Sequence, residues 1–325
     1  MRDRANPQSA PPAANASIAH RVAPQPPKCA ASQARAMGPK NCPACEACIA
    51  SMAAAGIEEI EVGSFVPPKL IPAMADTAEI VAFSLSIPNL KVVALAPNVK
   101  GFERAVAAGA QKITFPVSAS RAHSLANVRM TPEQMVEEVR RCVELRSQLR
   151  GKDGPEIEAG VSTAFGCTMQ GEVPEDDVVR LAVMLAGTGA DCIALADTVG
   201  YANPAQIRRL FRRVRNEIGD KLEAAHLHNT RGLGLANALA AYEEGVRHFD
   251  SSMGGLGGCP FAPGASGNVV TEDLVFMFES MGVPTGVNFD KLLEARKLLV
   301  AGVPEEPVYG HTPLAGLPKG FRAAA

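Results

Sequence analysis

A glycine-dense loop decides the fold of this chain: Ser251-Ser-Met-Gly-Gly-Leu-Gly-Gly-Cys259-Pro-Phe-Ala-Pro-Gly-Ala-Ser-Gly-Asn268. It follows a predicted strand, and the strand before that one ends in His226-Leu-His228. Residues i and i+2 of a strand share one face, so both imidazoles can bind the same metal ion. Glycines let a backbone approach a ligand closely. Polar groups suited to a metal-assisted active site therefore follow two successive strands.

Outward from this loop, short β-type runs alternate with amphipathic helical stretches. Three helices are predicted at Thr131–Leu149, Glu175–Leu185 and Pro204–Ile218. The predicted strands are Glu59–Val62, Lys91–Ala94, Lys112–Phe115, Glu156–Ser162, Cys192–Ala196, Leu222–His228 and Arg247–Asp250. Alternating β and α units indicate parallel strands. These seven strands are one short of a closed (β/α)₈ TIM barrel.

Polar residues recur where the predicted strands end. Glu61 lies at the end of the first of these strands, Asp197 follows the fifth, the histidines end the sixth, and Cys259 follows the last. Catalytic groups of TIM barrels come from the carboxyl-terminal ends of several strands. The pattern therefore favours a barrel over a doubly wound sheet.

The first 48 residues differ from the rest and are predicted to be an irregular segment. They are rich in proline and alanine, and Ser17–Val22 is the only weak candidate for the missing first strand. Cys42, Cys45 and Cys48 are spaced like metal ligands, but no second half of such a motif follows. We expect the barrel to occupy residues 49–305 and a tail to occupy residues 306–325.

Composition excludes several classes of protein. The chain has 325 residues and a formal net charge of −2, with no Trp and three Tyr, so a nucleic-acid partner is not expected. No apolar run reaches the roughly 18 residues that a membrane span needs, so no membrane partner is expected either. The eight cysteines are irregularly spaced, which favours reduced thiols in a cytoplasmic protein.

Each candidate site residue also has a structural interpretation. His226, His228 and Asn268 combine imidazole with an amide oxygen, which suits a divalent cation such as Mg²⁺ or Mn²⁺, with Zn²⁺ or Co²⁺ as alternatives. Cys259 lies between Gly258 and Pro260, where a reactive thiol is more plausible than a packed one.

The three carboxylates are less distinctive. Glu61 could be an ordinary strand-end residue and Asp197 could cap the next helix. Glu272 could stabilise the start of the helix after the loop through the helix dipole.

Four blocks of this sequence resemble the hydroxymethylglutaryl-CoA lyase family. They are AGIEEIEVGSFVPPKLIPAMADT (residues 55–77), ALADTVG (194–200), HLHNTRGLGLAN (226–237) and GGLGGCPFAPGASGNVVTEDLV (254–275). The resemblance implies a TIM barrel that cleaves 3-hydroxy-3-methylglutaryl-CoA to acetyl-CoA and acetoacetate. It implies that His226, His228 and Asn268 bind the metal, that Cys259 is a mobile catalytic thiol, and that Glu61, Asp197 and Glu272 support the substrate hydroxyl and the metal. It also allows a homodimer, although no interface is legible in the sequence.

One family motif is absent. The family's first strand ends in Arg-Asp-Gly-Leu-Gln, whose Asp binds the metal and whose Arg stabilises the enolate. The corresponding segment here, Lys28-Cys-Ala-Ala-Ser-Gln-Ala-Arg-Ala36, contains neither Arg-Asp nor any carboxylate. The first strand is therefore expected to be missing or garbled, and activity is expected to be impaired.

Three interpretations of this departure stay open. We favour a frame-slipped reading of the gene before Ile49, because the Ala-, Pro- and Arg-rich composition is typical of a GC-rich gene read out of frame. A targeting peptide and a degenerate relative are the alternatives. A lyase for a related thioester such as citramalyl-CoA, or a catalytically dead binding protein, are the alternative functions.

Overall fold

Eight parallel strands form a closed barrel in the order β1 to β8. The computed structural model describes residues 19–22, 43–149, 154–257, 267–304 and 306–324, with only the backbone given for 19–22 and 43–44. The strands are β1 Ala19–Val22, β2 Glu59–Ser64, β3 Lys91–Leu95, β4 Lys112–Ser118, β5 Glu156–Ser162, β6 Cys192–Asp197, β7 Leu222–Leu227 and β8 His248–Ser251. The prediction of an α/β TIM barrel is therefore confirmed.

Helices follow the strands and cover the outside of the barrel. They are α1 Pro43–Ala54, α2 Thr77–Ser84, α3 Val99–Ala108, α4 Arg121–Val128, α5 Pro132–Gln148, α6 Glu175–Ala186, α7 Pro204–Ile218, α8 Gly234–Glu243, α9 Thr271–Ser280, α10 Phe289–Gly302 and α11 His311–Ala315. Short 3₁₀ turns lie at Pro72–Met74, Gly219–Lys221 and Met253–Gly255. Among the helices in the described part of the chain, none has the length and apolar character needed to cross a membrane.

The first strand corrects the expectation that this element is missing. Ala19–Val22 pairs in parallel with β8 and with β2, and so closes the barrel. It lies inside Ser17–Val22, the only segment that was a candidate. Its sequence has weak strand character, and the pairing on both sides supplies hydrogen bonds that propensity alone does not reveal. The segment Lys28–Ala36 lies outside the described residues.

The two ends of the barrel domain also differ from the predicted bounds. Helix α1 begins at Pro43, where proline suits a first helical turn. The predicted tail is not separate, because Asp273 of α9 accepts hydrogen bonds from the backbone N–H groups of His311 (2.9 Å) and Thr312 (2.7 Å). These bonds hold the start of α11 against the barrel domain.

The core lies between the strands and the surrounding helices. On β5, for example, Ile157, Ala159 and Val161 are fully buried and face the helices, while the alternate residues face the barrel interior. Large buried side chains such as Phe115, Phe211 and Phe249 fill this outer layer.

Charged side chains close the amino-terminal end of the barrel. Lys112 Nζ lies 3.1 Å from Glu59, 3.1 Å from Glu156 and 3.0 Å from Glu158. Each carboxylate belongs to one of the first three residues of its strand, and these interactions connect β2, β4 and β5. Ion pairs among the described residues therefore occupy the interior around Lys112.

The pair of Glu223 and His248 extends this network, with Oε1 and Nδ1 separated by 2.5 Å. The hydrogen bond from His248 lowers the pKa of Glu223 to about 2. The same bond raises the pKa of His248. The Glu223 carboxylate stabilises the fold above about pH 4.5, and this contribution is lost as the pH falls towards 2. The His248 imidazolium stabilises it below about pH 6.5, and this contribution is lost as the pH rises through the raised pKa.

We therefore expect Glu223→Gln to lower the free energy of unfolding by about 1 kcal/mol at pH 5.5, because the pair is partly exposed to solvent. At pH 9 the loss should be smaller, since His248 is then neutral. Urea unfolding at both pH values measures the difference. Glu217→Gln, an exposed glutamate of α7, is the control. An equal loss at both pH values for Glu223→Gln would contradict the assigned pair.

Candidate functional site

The two histidines at the carboxyl-terminal end of β7 face each other. His226 Nε2 and His228 Nε2 lie 3.2 Å apart. Burial lowers the pKa of His228 to about 3, with a further contribution from His226, so its imidazole is neutral and keeps a lone pair for a metal. The structure therefore brings together the two imidazole nitrogens that the sequence names as metal ligands, and the binding of a shared cation stays a prediction.

Asp250 of β8 orients the first of these histidines. Its Oδ2 lies 2.9 Å from His226 Nδ1. A carboxylate on the second ring nitrogen fixes the tautomer and directs Nε2 towards a metal. Sequence reasoning missed Asp250, although its place at the end of a predicted strand is the same signal that identified Glu61.

Asn268 is held directly beside His228 by the return of the glycine-dense loop. The two residues form an antiparallel bridge. Backbone hydrogen bonds of 3.0 Å flank it, from Asn229 N to Gly267 O and from Val269 N to Leu227 O. The loop therefore brings Asn268 to the end of β7.

The side-chain amide of Asn268 is satisfied on one side only. Nδ2 donates to Leu256 O at 2.9 Å. Oδ1 is buried and has no hydrogen-bond partner within the described part of the chain, and the same holds for His228 Nδ1. Buried polar atoms without partners are rare in folded proteins. An amide oxygen that has no partner among the described residues, on the residue bridged to His228, fits a ligand of a divalent cation.

Glu61 faces the barrel interior from β2. Its Oε2 accepts a hydrogen bond of 3.0 Å from Thr114 Oγ1 of β4. Strands β2 and β4 are separated by β3, so the bond crosses the barrel interior below the histidines. Sequence reasoning identified Glu61 but not Thr114, because a threonine inside a strand carries no functional signal.

Asp197 is buried and accepts hydrogen bonds from the backbone that follows it. Its carboxylate accepts N–H groups from Tyr201 (2.8 Å) and Ala202 (3.2 Å). Burial raises the pKa of Asp197 to about 6, against these hydrogen bonds. Asp197 therefore holds the loop after β6, whereas the cap of α7 is Asn203, whose side chain accepts a hydrogen bond from the backbone N–H of Gln206.

Glu272 is fully buried at the start of α9. It accepts a hydrogen bond from Gly254 N (3.1 Å) and forms an ion pair with Arg296 Nη1 (2.5 Å). Burial raises the pKa of Glu272, and Arg296 opposes that rise. These contacts anchor the turn Met253–Gly255, from which the glycine-dense loop departs. Cys259 itself lies outside the described residues, so its catalytic role stays a prediction.

A second group of metal-type ligands lies at the opposite end of the barrel. Ligand atoms of Glu156, Cys192 and Glu223 lie within 4.8 Å of one another. Burial strongly raises the pKa of the Cys192 thiol, which keeps it protonated. The carboxylates already pair with Lys91, Lys112 and His248. This group belongs to the ion network rather than to a catalytic centre.

The barrel and the polar groups at its carboxyl-terminal mouth define a TIM-barrel enzyme. The chain belongs to the HMGL-like family, whose model matches residues 41–299. The match begins after the first 40 residues and includes every predicted site residue.

Similar proteins have related names. The (R)-citramalyl-CoA lyase of Chloroflexus aurantiacus is 39% identical over 264 residues, which cover 78% of this chain and 82% of that protein. The cytoplasmic 3-hydroxy-3-methylglutaryl-CoA lyase of Mus musculus is 39% identical over 76% of this chain and 71% of its own length. A solved HMG-CoA lyase of Acinetobacter baumannii, in complex with coenzyme A and 3-methylmalate, is 38% identical with a TM-score of 0.83, covering 96% of this chain and 99% of that one. The chain is therefore an HMGL-like lyase that acts on a CoA substrate.

The contacts of Glu272 predict a structural effect. Replacing Glu272 by alanine leaves the Arg296 charge buried, so the free energy of unfolding should fall by roughly 3–5 kcal/mol. Arg296→Met should lower it in the same direction. Urea unfolding tests both variants, and Glu294→Gln in the exposed Glu294–Lys297 pair is the matched control. Unchanged stability together with lost metal binding would assign Glu272 to the metal site instead.

Proposed function

We propose that this chain cleaves 3-hydroxy-3-methylglutaryl-CoA to acetyl-CoA and acetoacetate. The observation that carries the proposal is the convergence of His226, His228 and Asn268 at the barrel mouth in a member of this family. The bond broken lies between C2 and C3 of the acyl group. The C3 hydroxyl loses its proton and becomes a ketone, and the electron pair of the bond passes to the thioester as an enolate.

A divalent cation, Mg²⁺ or Mn²⁺, fits this site. Bound there, it would act as a Lewis acid on the substrate oxygens. His226, His228 and Asn268 are the residues that would hold it, with Asp250 orienting His226. The proposal of a cation rests on the lowered pKa of His228 and on Asn268 Oδ1, which has no hydrogen-bond partner within the described part of the chain.

The proton transfers are assigned to two residues. Glu61 faces the interior in the layer beneath the histidines, where a carboxylate can accept the hydroxyl proton. Cys259 would donate a proton to C2 of the enolate, which yields acetyl-CoA. In the sequence, Cys259 follows the turn at Met253–Gly255, and exclusion of water from the site would protect the enolate.

Metal binding can be measured without turnover. We expect His226→Ala, His228→Ala and Asn268→Ala each to weaken Mn²⁺ binding by about 100-fold or more, and Asp250→Asn by about 10- to 100-fold. Isothermal titration calorimetry of the full chain with Mn²⁺ gives these values, and His311→Ala, an exposed histidine, is the control. Unchanged affinity in the three ligand variants would contradict the metal site.

Turnover of this polypeptide is expected to be weak. No Arg-Asp pair and no carboxylate lies between the end of β1 at Val22 and the start of α1 at Pro43. By the family resemblance, this removes a metal ligand and an enolate-stabilising cation, a loss on the order of 10³-fold or more. The measurement is the release of acetoacetate from 3-hydroxy-3-methylglutaryl-CoA, compared with that of the Mus musculus enzyme. Turnover within about tenfold of that enzyme, abolished by Cys259→Ala, would contradict the expected impairment.

The second candidate substrate is citramalyl-CoA, which the similarity to the Chloroflexus aurantiacus lyase favours. It differs from the first by one methylene between C3 and the carboxylate, and its cleavage releases pyruvate in place of acetoacetate. The ratio of the two products, measured with equal concentrations of both thioesters, decides between the substrates. No cleavage of either thioester, with Mn²⁺ bound, would favour a catalytically dead binding protein.

A further inference from the structure

Strand β5 carries a glycine, Gly160, at a position that faces the barrel interior. Its inward neighbour Glu158 bonds to Lys112, which identifies the inward face of the strand. Among the described residues beyond its chain neighbours, the carbonyl oxygen of Phe115, at 3.8 Å, is the one heavy atom that a Cβ at Gly160 would have within 4 Å. The backbone there is not left-handed, so the chain geometry does not require glycine. A glycine inside a strand often marks a place where a ligand comes close.

The register of the strands places Gly160 beside the first metal-ligand candidate. Gly160 pairs with Ala194 of β6, and Ala194 pairs with Ala224 of β7. Strands of an eight-stranded TIM barrel are staggered by about one residue per strand, so alternate strands contribute side chains to one layer. β7 lies two strands from β5, so the residue of β7 at the height of Gly160 is displaced by two positions from Ala224. That residue is His226. Gly160 and His226 therefore belong to the same interior layer.

The described residues that neighbour Gly160 leave open the space that a side chain at this position would occupy. Pro116 and Ala194 are its partners on β4 and β6, and Ala196 pairs with His226. Interior layers of TIM barrels are ordinarily packed with branched side chains. Here the wall next to His226 consists of small apolar groups, and His226 Nε2 faces His228 Nε2 at the candidate ligand site.

Charge decides which part of a substrate fits this gap. Glu61 and Asp250 face the same interior from the layer below, so they repel a substrate carboxylate. The apolar wall at Pro116, Ala194 and Ala196 favours an alkyl group. The carboxylate arm of the acyl group is therefore directed away from Gly160.

We propose that Gly160 is a specificity-determining residue whose missing side chain receives the alkyl substituent on the tertiary carbon of the acyl-CoA, with room for a group longer than methyl. The inference rests on the proposed function, because it assumes a tertiary 3-hydroxy thioester bound at the histidines. One methylene in an apolar pocket changes discrimination by about 10- to 200-fold. A single methyl group added at Gly160 should change the preference by a similar factor.

The test uses thioesters that bind but cannot be cleaved. The CoA thioesters of 3-methylglutarate and 3-ethylglutarate lack the hydroxyl group, so they report binding even if turnover is weak. Calorimetry of the full chain with Mn²⁺ gives both dissociation constants. The wild-type chain should bind the ethyl compound at least as tightly as the methyl compound. Gly160→Ala should raise the dissociation constant of the ethyl compound by about tenfold. It should change the dissociation constant of the methyl compound by no more than about threefold.

Two further variants separate shape from general damage. Gly160→Val should weaken the ethyl compound more than Gly160→Ala does. Gly187→Ala adds the same methyl group at the end of α6, on ordinary right-handed backbone, and should change neither constant.

The outcomes are distinguishable. Wild-type preference for the methyl compound by tenfold or more, or equal losses for both compounds in Gly160→Ala, would overturn the inference and leave the proposed function intact. No binding of either thioester by the wild-type chain would overturn the proposed function and the inference with it.

Discussion

The site depends on the register of one strand and one returning loop. β7 pairs with β8 so that His226 lies opposite Asp250, and the antiparallel bridge brings Asn268 to His228. A slip of one residue along β7 would turn both imidazoles out of the barrel, because strand side chains alternate between faces. Backbone hydrogen bonds on both sides of the bridge oppose such a slip. Backbone pairing, rather than side-chain packing, therefore sets the positions of the candidate ligands.

The two ends of the barrel differ in how their buried polar groups are satisfied. At the amino-terminal end, Lys112 neutralises carboxylates from neighbouring strands, and the resulting ion pairs fill the interior. At the other end, buried polar atoms of His228 and Asn268 have no hydrogen-bond partner among the residues that the structure describes. A buried network is most stabilising when every member is satisfied. The first end meets this condition through its own side chains, whereas the second leaves atoms available to a ligand.

Most of the fold could be predicted from the sequence because strands and helices have distinct periods. Helix α7 has the predicted bounds, Pro204–Ile218, and its buried Ile207, Leu210, Phe211 and Val214 follow the helical period. β5 also has the predicted bounds. β1 was the exception, since four residues without a clear pattern form a strand only when both neighbours are in place. That information belongs to the assembled barrel and not to the segment.

The site could be predicted only in part, for a related reason. The histidines and Asn268 can be identified in the sequence from residue type and spacing. Thr114, Asp250 and Gly160 matter because of what lies across the barrel, and single-strand patterns do not contain the relation between strands. For Asp197 and Glu272, the sequence shows the residue type but not the partner that it contacts. Both are acidic residues at the mouth, yet their partners are backbone N–H groups and Arg296, which no local pattern shows.

The distribution of carboxylates has a consequence for the proposed cation. Its three candidate ligands among the described residues are neutral, because two are imidazoles and one is an amide oxygen. Asp250 contacts Nδ1 of His226, the ring nitrogen opposite the one that would bind the cation. Mg²⁺ prefers carboxylate and water oxygens, whereas imidazole suits transition metals. A first strand without the family's aspartate would therefore move the preference of this site from Mg²⁺ or Mn²⁺ towards a softer ion such as Zn²⁺ or Co²⁺. The loss of one carboxylate would then affect which cation is held as well as how tightly.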